Sequence, residues 1–275
     1  MKSFAFGQFY PANSLMHRID PRMKIILALV YIVASFLCAN VISFGLLLVS
    51  ALCLILISKI PVRIVLKSVK AIIYIMIFTA LLNILMTRDA ENAPLISWWI
   101  INIYESGLYN AAFIVVRIVS MIIGTGIFLT YTTTPIQLTD ALEQLLSPLK
   151  VFKIPVHEFA MMMTIALRFI PTIIEETEKI MAAQKARGAD FTSGSLIKRA
   201  KALIPILIPL FISAFRRAGE LATAMTCRCY RGGEGRTRLK VLKTTYRDYI
   251  ALLAVVLFGA SIILINIFAP GYSMK

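Results

Sequence analysis

Acidic side chains are scarce in this sequence: 14 Asp and Glu stand against 29 Lys and Arg, a net charge of +15 over 275 residues. Histidine is scarcer still, and two of them, His17 and His157, are too few for a histidine-rich metal centre. The four cysteines do not form a secreted disulfide framework, because Cys38 and Cys53 fall in apolar runs and Cys227 and Cys229 in a basic segment. The first 22 residues carry Lys2, Arg18, Asp20 and Arg22 and lack the apolar core of a cleavable signal. Also missing is a Gly-x-x-x-x-Gly-Lys-Ser/Thr loop of the kind that cradles nucleotide phosphates. The glycine-rich Gly232-Gly233-Glu234-Gly235-Arg236-Thr237 follows a helical pattern and has arginine where that lysine belongs, so it reads as a helix stop and turn. The chain is not expected to hydrolyse ATP alone.

What is abundant is apolar surface. Hydrophobic residues make up 59% of the chain and mean hydropathy is +0.81, well above a soluble protein. In so apolar a chain, excess positive charge implies sidedness in a membrane rather than nucleic-acid binding. Ile25 to Ile57 is too long for one span: about 33 residues make a helix of about 50 Å against about 30 Å of hydrocarbon. It must fold back, near Asn40, Ser43 and Gly45. Further spans are expected at Ala71 to Met86, Leu108 to Tyr131 and Tyr249 to Ala269. Lys2, Arg18, Arg22 and Lys24 in the amino-terminal arm, and Lys59, Arg63, Lys67 and Lys70 after the second span, put the amino terminus in the cytoplasm. Five crossings then leave the carboxyl terminus outside. Pro94 to Tyr104, with Trp98 and Trp99, reads as an amphipathic piece at the outer interface.

The expected organisation is therefore an all-α integral membrane protein in three parts. Residues 1–131 hold the arm and four spans, 132–245 a cytoplasmic or interfacial domain of about three helices, and 246–275 the last span and tail. The middle helices are expected at Pro135 to Leu149, Pro155 to Arg187 and Leu196 to about Tyr230, the last kinked by Pro205 and Pro209. Phe159 to Ile174 and Ala202 to Phe215 are almost apolar enough to span. However, crossing would carry Lys179, Lys185, Arg187, Lys198, Arg199 and Lys201 across together, against the positive-inside bias. Their apolar flanks, among them Phe159, Met162, Ile165, Phe169, Leu203, Leu207, Leu210 and Phe211, instead need a lipid or protein partner.

Catalytic readings find little support. His157-Glu158 has the first two letters of a zinc-protease helix and no second histidine, and Glu175-Glu176 reads as a solvated acidic face. Arg117 lies mid-span without an acidic partner in another span, which leaves snorkelling, pairing with a backbone or cytosolic group, or an ion pathway open. Two arginines at helix ends are more telling. Arg187 sits between Ala186 and Gly188, and Arg228 between Cys227 and Cys229. Small neighbours let a helix end enter a groove while a five-donor guanidinium reaches a partner's carboxylates or carbonyls. Helix lengths put the two tips on the order of 30 to 50 Å apart, which suits a partner with two similar subunits.

The arm, with Tyr10 and Ser14-Leu15-Met16-His17-Arg18-Ile19-Asp20-Pro21-Arg22-Met23-Lys24, resembles the Leu-His-x-x-Asp-Pro-Arg-x-Lys motif of the T component of energy-coupling factor transporters. Ala186-Arg187-Gly188 resembles that family's Ala-Arg-Gly signature, and Cys227-Arg228-Cys229 its second copy, with cysteines where the family has alanine and glycine. Tyr230 to Thr237 looks like the branch whose T component is shared among substrate-binding subunits. The resemblance implies a coupling subunit of an ATP-driven vitamin or micronutrient importer in a prokaryotic cell membrane. It implies no cofactor on this chain, with ATP and Mg used by two ABC-type ATPase subunits of the EcfA and EcfA' type that hold the arginine tips. It also implies a vitamin-binding membrane S component on the apolar flanks, and leaves the vitamin open. A conventional ABC permease and, less favoured, an intramembrane enzyme are the competing readings.

Overall fold

The computed structural model describes residues 9–87, 96–98, 101–189, 191, 195–232, 242 and 244–268. Eight α-helices are formed among them: α1 Pro21–Leu37, α2 Val41–Ser58, α3 Val62–Met86, α4 Glu105–Thr125, α5 Pro135–Leu145, α6 Val156–Ala186, α7 Leu196–Cys227 and α8 Tyr246–Phe268. The chain divides into two compact units, residues 1–141 with 241–275 and residues 142–240, the first boundary falling inside α5.

The first unit is a bundle of α1 to α4 and α8. The long apolar run folds back as expected, through Cys38 and Ala39 to Asn40. Asp20 caps α1, its carboxylate accepting from the Arg22 N–H at 2.9 Å, with Pro21 as the first helical residue. At the same end Asp248 accepts the Asp20 N–H at 2.9 Å, and at the other end the Asn266 amide donates to the Leu37 carbonyl at 2.6 Å. Helices α1 and α8 therefore run parallel, which places the starts of both at one end of the bundle. The core is filled by Leu27, Leu47, Ile127 and Ile262, none exposed, around a buried Tyr31 that stacks on Phe258 and meets Phe128 edge-on. Gly124 makes this possible: a Cβ there would lie 2.2 Å from Tyr31 Cε1. Helix α4 passes into a wider π-helical turn, Gly126–Tyr131, whose end is held by Thr132 Oγ1 donating to the Ile127 carbonyl at 2.8 Å.

Arg117 takes the backbone option. Its guanidinium donates to the Cys38 carbonyl at 2.7 Å, at the end of α1, and lies 5.2 Å from the centre of the Phe44 ring. Between α3 and α4, where the sequence predicts an amphipathic piece, two three-residue strands, β1 Ile96–Trp98 and β2 Ile101–Ile103, pair antiparallel with Ile96 opposite Ile103. Pro94 and Trp99 of that expected piece lie outside the described residues.

The second unit is built on α6 and α7, of 31 and 32 residues. Among the described residues six helices are long and apolar enough to cross a membrane: α2, α3, α4 with its π turn, α6, α7 and α8. Helices α6 and α7 are the least apolar of these. Helix α1 has 17 residues, about 25 Å, and owes its place in the bundle to its pairing with α8 and α4. Pro171 in α6 and Pro205 and Pro209 in α7 are accommodated without ending either helix.

Candidate functional site

The ends of α6 and α7 close in the same way. Arg187 is the C-cap of α6, and the following Gly188 has φ of +86°. The Gly188 N–H donates to the Lys185 carbonyl at 2.9 Å, and the Ala189 N–H reaches back to the Gln184 carbonyl at 3.0 Å. At α7 the C-cap is Arg228, Cys229 has φ of +56°, and the Cys229 and Tyr230 N–H groups donate to the Thr226 and Met225 carbonyls at 2.9 and 3.1 Å. Both are the paired closure in which a left-handed residue just past the cap turns the chain back over the last turn. Sequence reasoning puts the stop of α7 at Gly232-Gly233, because glycine is the usual left-handed residue. The structure puts it at Cys229, three residues earlier, where a cysteine carries the conformation. Gly233 onward to residue 240 lies outside the described residues.

Ala186, Arg187, Gly188, Cys227, Arg228 and Cys229 are all exposed, and among the described residues neither arginine meets a carboxylate. Each guanidinium is thus presented on an exposed helix end between small side chains.

Between the ends, α6 and α7 are joined by a polar contact that the sequence does not reveal. Glu176 accepts from Arg217 Nη2 at 2.9 Å and from the Ser213 hydroxyl. Glu176 is therefore an interhelical ligand rather than part of a fully solvated acidic face. The Ser213 hydroxyl first, and then the Arg217 charge and the nearby Lys179, hold its carboxyl below the ordinary value of 4.5.

The apolar flanks are open. Phe159, Met162, Leu203, Leu207 and Phe211 are exposed, while Ile165, Phe169 and Leu210 are half-buried. Leu207, Leu210 and Phe211 come together with Ile173 in a cleft of about 580 Å³ with almost no polar wall. Phe159, Met162, Ile165, Phe169 and Leu203 do not line it. Among the described residues no group of three His, Cys, Asp or Glu could hold a metal ion. His157 instead meets Glu143 at 2.9 Å.

The amino-terminal motif is a junction. His17 bonds the Ser14 hydroxyl at 2.7 Å and the Tyr10 carbonyl at 2.8 Å, and the Tyr10 N–H donates to the Tyr131 carbonyl at 3.0 Å. Lys24, 1% exposed, donates to the Thr132 carbonyl at 2.8 Å and the Thr133 hydroxyl at 3.3 Å. Arg22 pairs with Asp20 and donates to the Leu242 carbonyl at 3.1 Å. The motif therefore grips the chain where it leaves the bundle after α4 and where it returns before α8.

A family model described as CbiQ, cobalt transport protein, matches residues 12–239, which includes Ser14 to Lys24 of this junction and both arginine ends. The chain belongs to the CbiQ family. Its relatives include proteins named energy-coupling factor transporter transmembrane protein EcfT. That of Clostridium kluyveri is 52% identical over 264 residues, covering 96% of this chain and 97% of its own. That of Ruminiclostridium cellulolyticum is 50% identical over 266 residues, covering 97% and 98%. That of Bacillus subtilis is 46% identical over 260 residues, covering 94% and 97%. Membership of the CbiQ family, together with the apolar helices of the bundle, makes the chain a membrane transport component.

Proposed function

We propose that this chain is the transmembrane coupling subunit of an ATP-driven importer of the energy-coupling factor type, itself without catalytic activity. The observation that carries the proposal is the matched pair of helix ends, each offering an exposed arginine on the same backbone closure. Two similar plugs suit two similar sockets. The sockets belong to two ABC-type ATPase subunits, which bind ATP and Mg and supply the motion. Arg187 and Arg228 are the docking residues, with Ala186, Gly188, Cys227 and Cys229 keeping the approach close. The exposed apolar flanks of α6 and α7 support a small membrane-embedded S component that carries the vitamin or other micronutrient. ATP-driven closure of the sockets moves the two tips, tilts α6 and α7, and turns the S component toward release.

The arginines then lie on the cytoplasmic side of a prokaryotic cell membrane. Parallel α1 and α8 support opposite sides for the two termini, with the amino terminus cytoplasmic and the carboxyl terminus outside.

Co-purification from the native membrane tests the reading. The wild-type chain is expected to bring two ATPase chains and one small apolar subunit. Arg187→Ala with Arg228→Ala is expected to lose the ATPases and abolish uptake while retaining the apolar subunit. Wild-type assembly and uptake in that double variant would reject the docking assignment, and transport by the purified chain alone would reject the whole reading.

A further inference from the structure

At the end of the bundle where α1 begins and α2 finishes, a cleft of about 370 Å³ lies between the amino-terminal arm and the turn into α3. Arg18 comes from the arm and Lys59 from the turn, both exposed, with Asn13 beside them. Among the described residues no carboxylate pairs with either cation. Lys59 has φ of +54°, its N–H donating to the Leu56 carbonyl at 3.3 Å, so an ammonium stands where glycine costs least. Two unpaired cations in one cleft call for an anion.

The rest of the wall says which kind. Leu15 is 62% exposed and Leu56 76% exposed, both lining the same cleft. From Leu56 an exposed file continues along α2 through Leu52 and Leu48, each one helical turn further from the cations. A cationic cleft at the water boundary that opens onto an apolar track into the bilayer fits a ligand with an anionic head and a long hydrocarbon tail. A soluble phosphate would satisfy the cations and leave the track unused. We propose that this cleft binds one anionic glycerophospholipid, its phosphate between Arg18 and Lys59 and an acyl chain along Leu56, Leu52 and Leu48. The lipid would then pin the arm against the α2–α3 turn, beside the junction formed by His17 and Lys24. The proposal stands on the bundle alone and does not depend on the ATPase or S-component assignments.

Native mass spectrometry of the full chain released from detergent, loaded with equimolar phosphatidylglycerol and phosphatidylcholine, tests it. Wild type is expected to retain one phosphatidylglycerol in preference to phosphatidylcholine. Arg18→Gln with Lys59→Gln is expected to weaken that retention about tenfold or more, by loss of two interfacial cations. Arg18→Lys with Lys59→Arg is expected to keep it. Lys67→Gln with Lys70→Gln removes the same charge from exposed positions outside the cleft and is expected to leave retention unchanged. Equal loss in both glutamine variants would mean a diffuse basic surface and overturn the proposal. Equal retention of phosphatidylcholine by wild type, or displacement of the lipid by millimolar inorganic phosphate, would overturn it as well.

Discussion

The Glu176 carboxylate meets the Arg217 guanidinium at 2.9 Å, and each residue stands eleven positions before the exposed arginine that ends its own helix. At 1.5 Å per residue the two arms beyond the contact are each about 16 Å long. The arms are equal. In the lever reading, rotation about this contact moves Arg187 and Arg228 through similar arcs, as a pair of similar moving sockets would require.

Loss of the pivot should uncouple motion without preventing docking. Glu176→Gln and Arg217→Gln are each expected to lower ATP-driven uptake several-fold while the ATPases still co-purify. Exchanging the charges, Glu176→Arg with Arg217→Glu, is expected to restore part of the uptake. Uptake at the wild-type level in both single variants would remove the ion pair from the mechanism.

The same contact has a pH dependence with a definite sign. Glu176 is held below its ordinary 4.5, so the folded state favours the ionised form. Its stabilisation is present above 4.5 and is lost as pH falls through the lower folded value. Thermal melts of the solubilised protein between pH 3 and 6 are expected to show less acid sensitivity in Glu176→Gln than in wild type, the difference confined to the acid side.

Cys229 carries a left-handed backbone that costs a residue with a Cβ about 1 kcal/mol relative to glycine. Cys229→Gly is expected to recover about that much locally, seen as slower amide exchange at Cys229 and Tyr230, and to leave docking intact. Gly188→Ala, at φ of +86°, is expected to cost about 1 kcal/mol at the end of α6. Faster exchange in Cys229→Gly would contradict the strain argument.

Asp248, 1% exposed, accepts the Asp20 N–H with one oxygen and the Thr245 N–H with the other, at 2.9 and 2.6 Å. Asp248→Asn places a donor against one of those donors. The expected loss is about 2 kcal/mol or more, read as a lower melting temperature in detergent. An unchanged melt would show that the clasp between α1 and α8 contributes little.

Gly124→Ala is expected to destabilise the bundle by about 1–3 kcal/mol, because the new Cβ meets the buried Tyr31 ring at two atoms, 2.2 and 2.5 Å away. Gly45→Ala is the control. Nothing lies within 4 Å of its added methyl, and a neutral or slightly stabilising effect is expected from the same melts.

Much of this is legible from residue order. Spans follow from apolar length, because a backbone in hydrocarbon must satisfy its own hydrogen bonds within a helix. The Asp20-Pro21 start of α1 and the Arg187-Gly188 end of α6 are readable because caps are local chemistry. Glu176 reads from sequence as a solvated face, since its partners are 37 and 41 residues away and no local spacing announces them. Asp248 escapes the span-by-span reading although Thr245-x-x-Asp248 has the spacing of a capping box, a signal that could have found it. The left-handed cysteine is hidden because propensity points to glycine, and the second arginine end shows the same closure made without it.

Sequence alone determined where the long apolar helices lie to within a few turns, where the basic charge lies and which two arginines terminate long helices, because these depend on periodicity, capping and net charge along the chain. Only the tertiary structure decided that Arg117 closes the end of α1, that Lys24 and Arg22 grip the two ends of the connection around the middle unit, and that Glu176 joins α6 to α7. Those contacts unite groups tens to hundreds of residues apart, and their geometry is set by how helices pack rather than by what stands beside each residue in the chain.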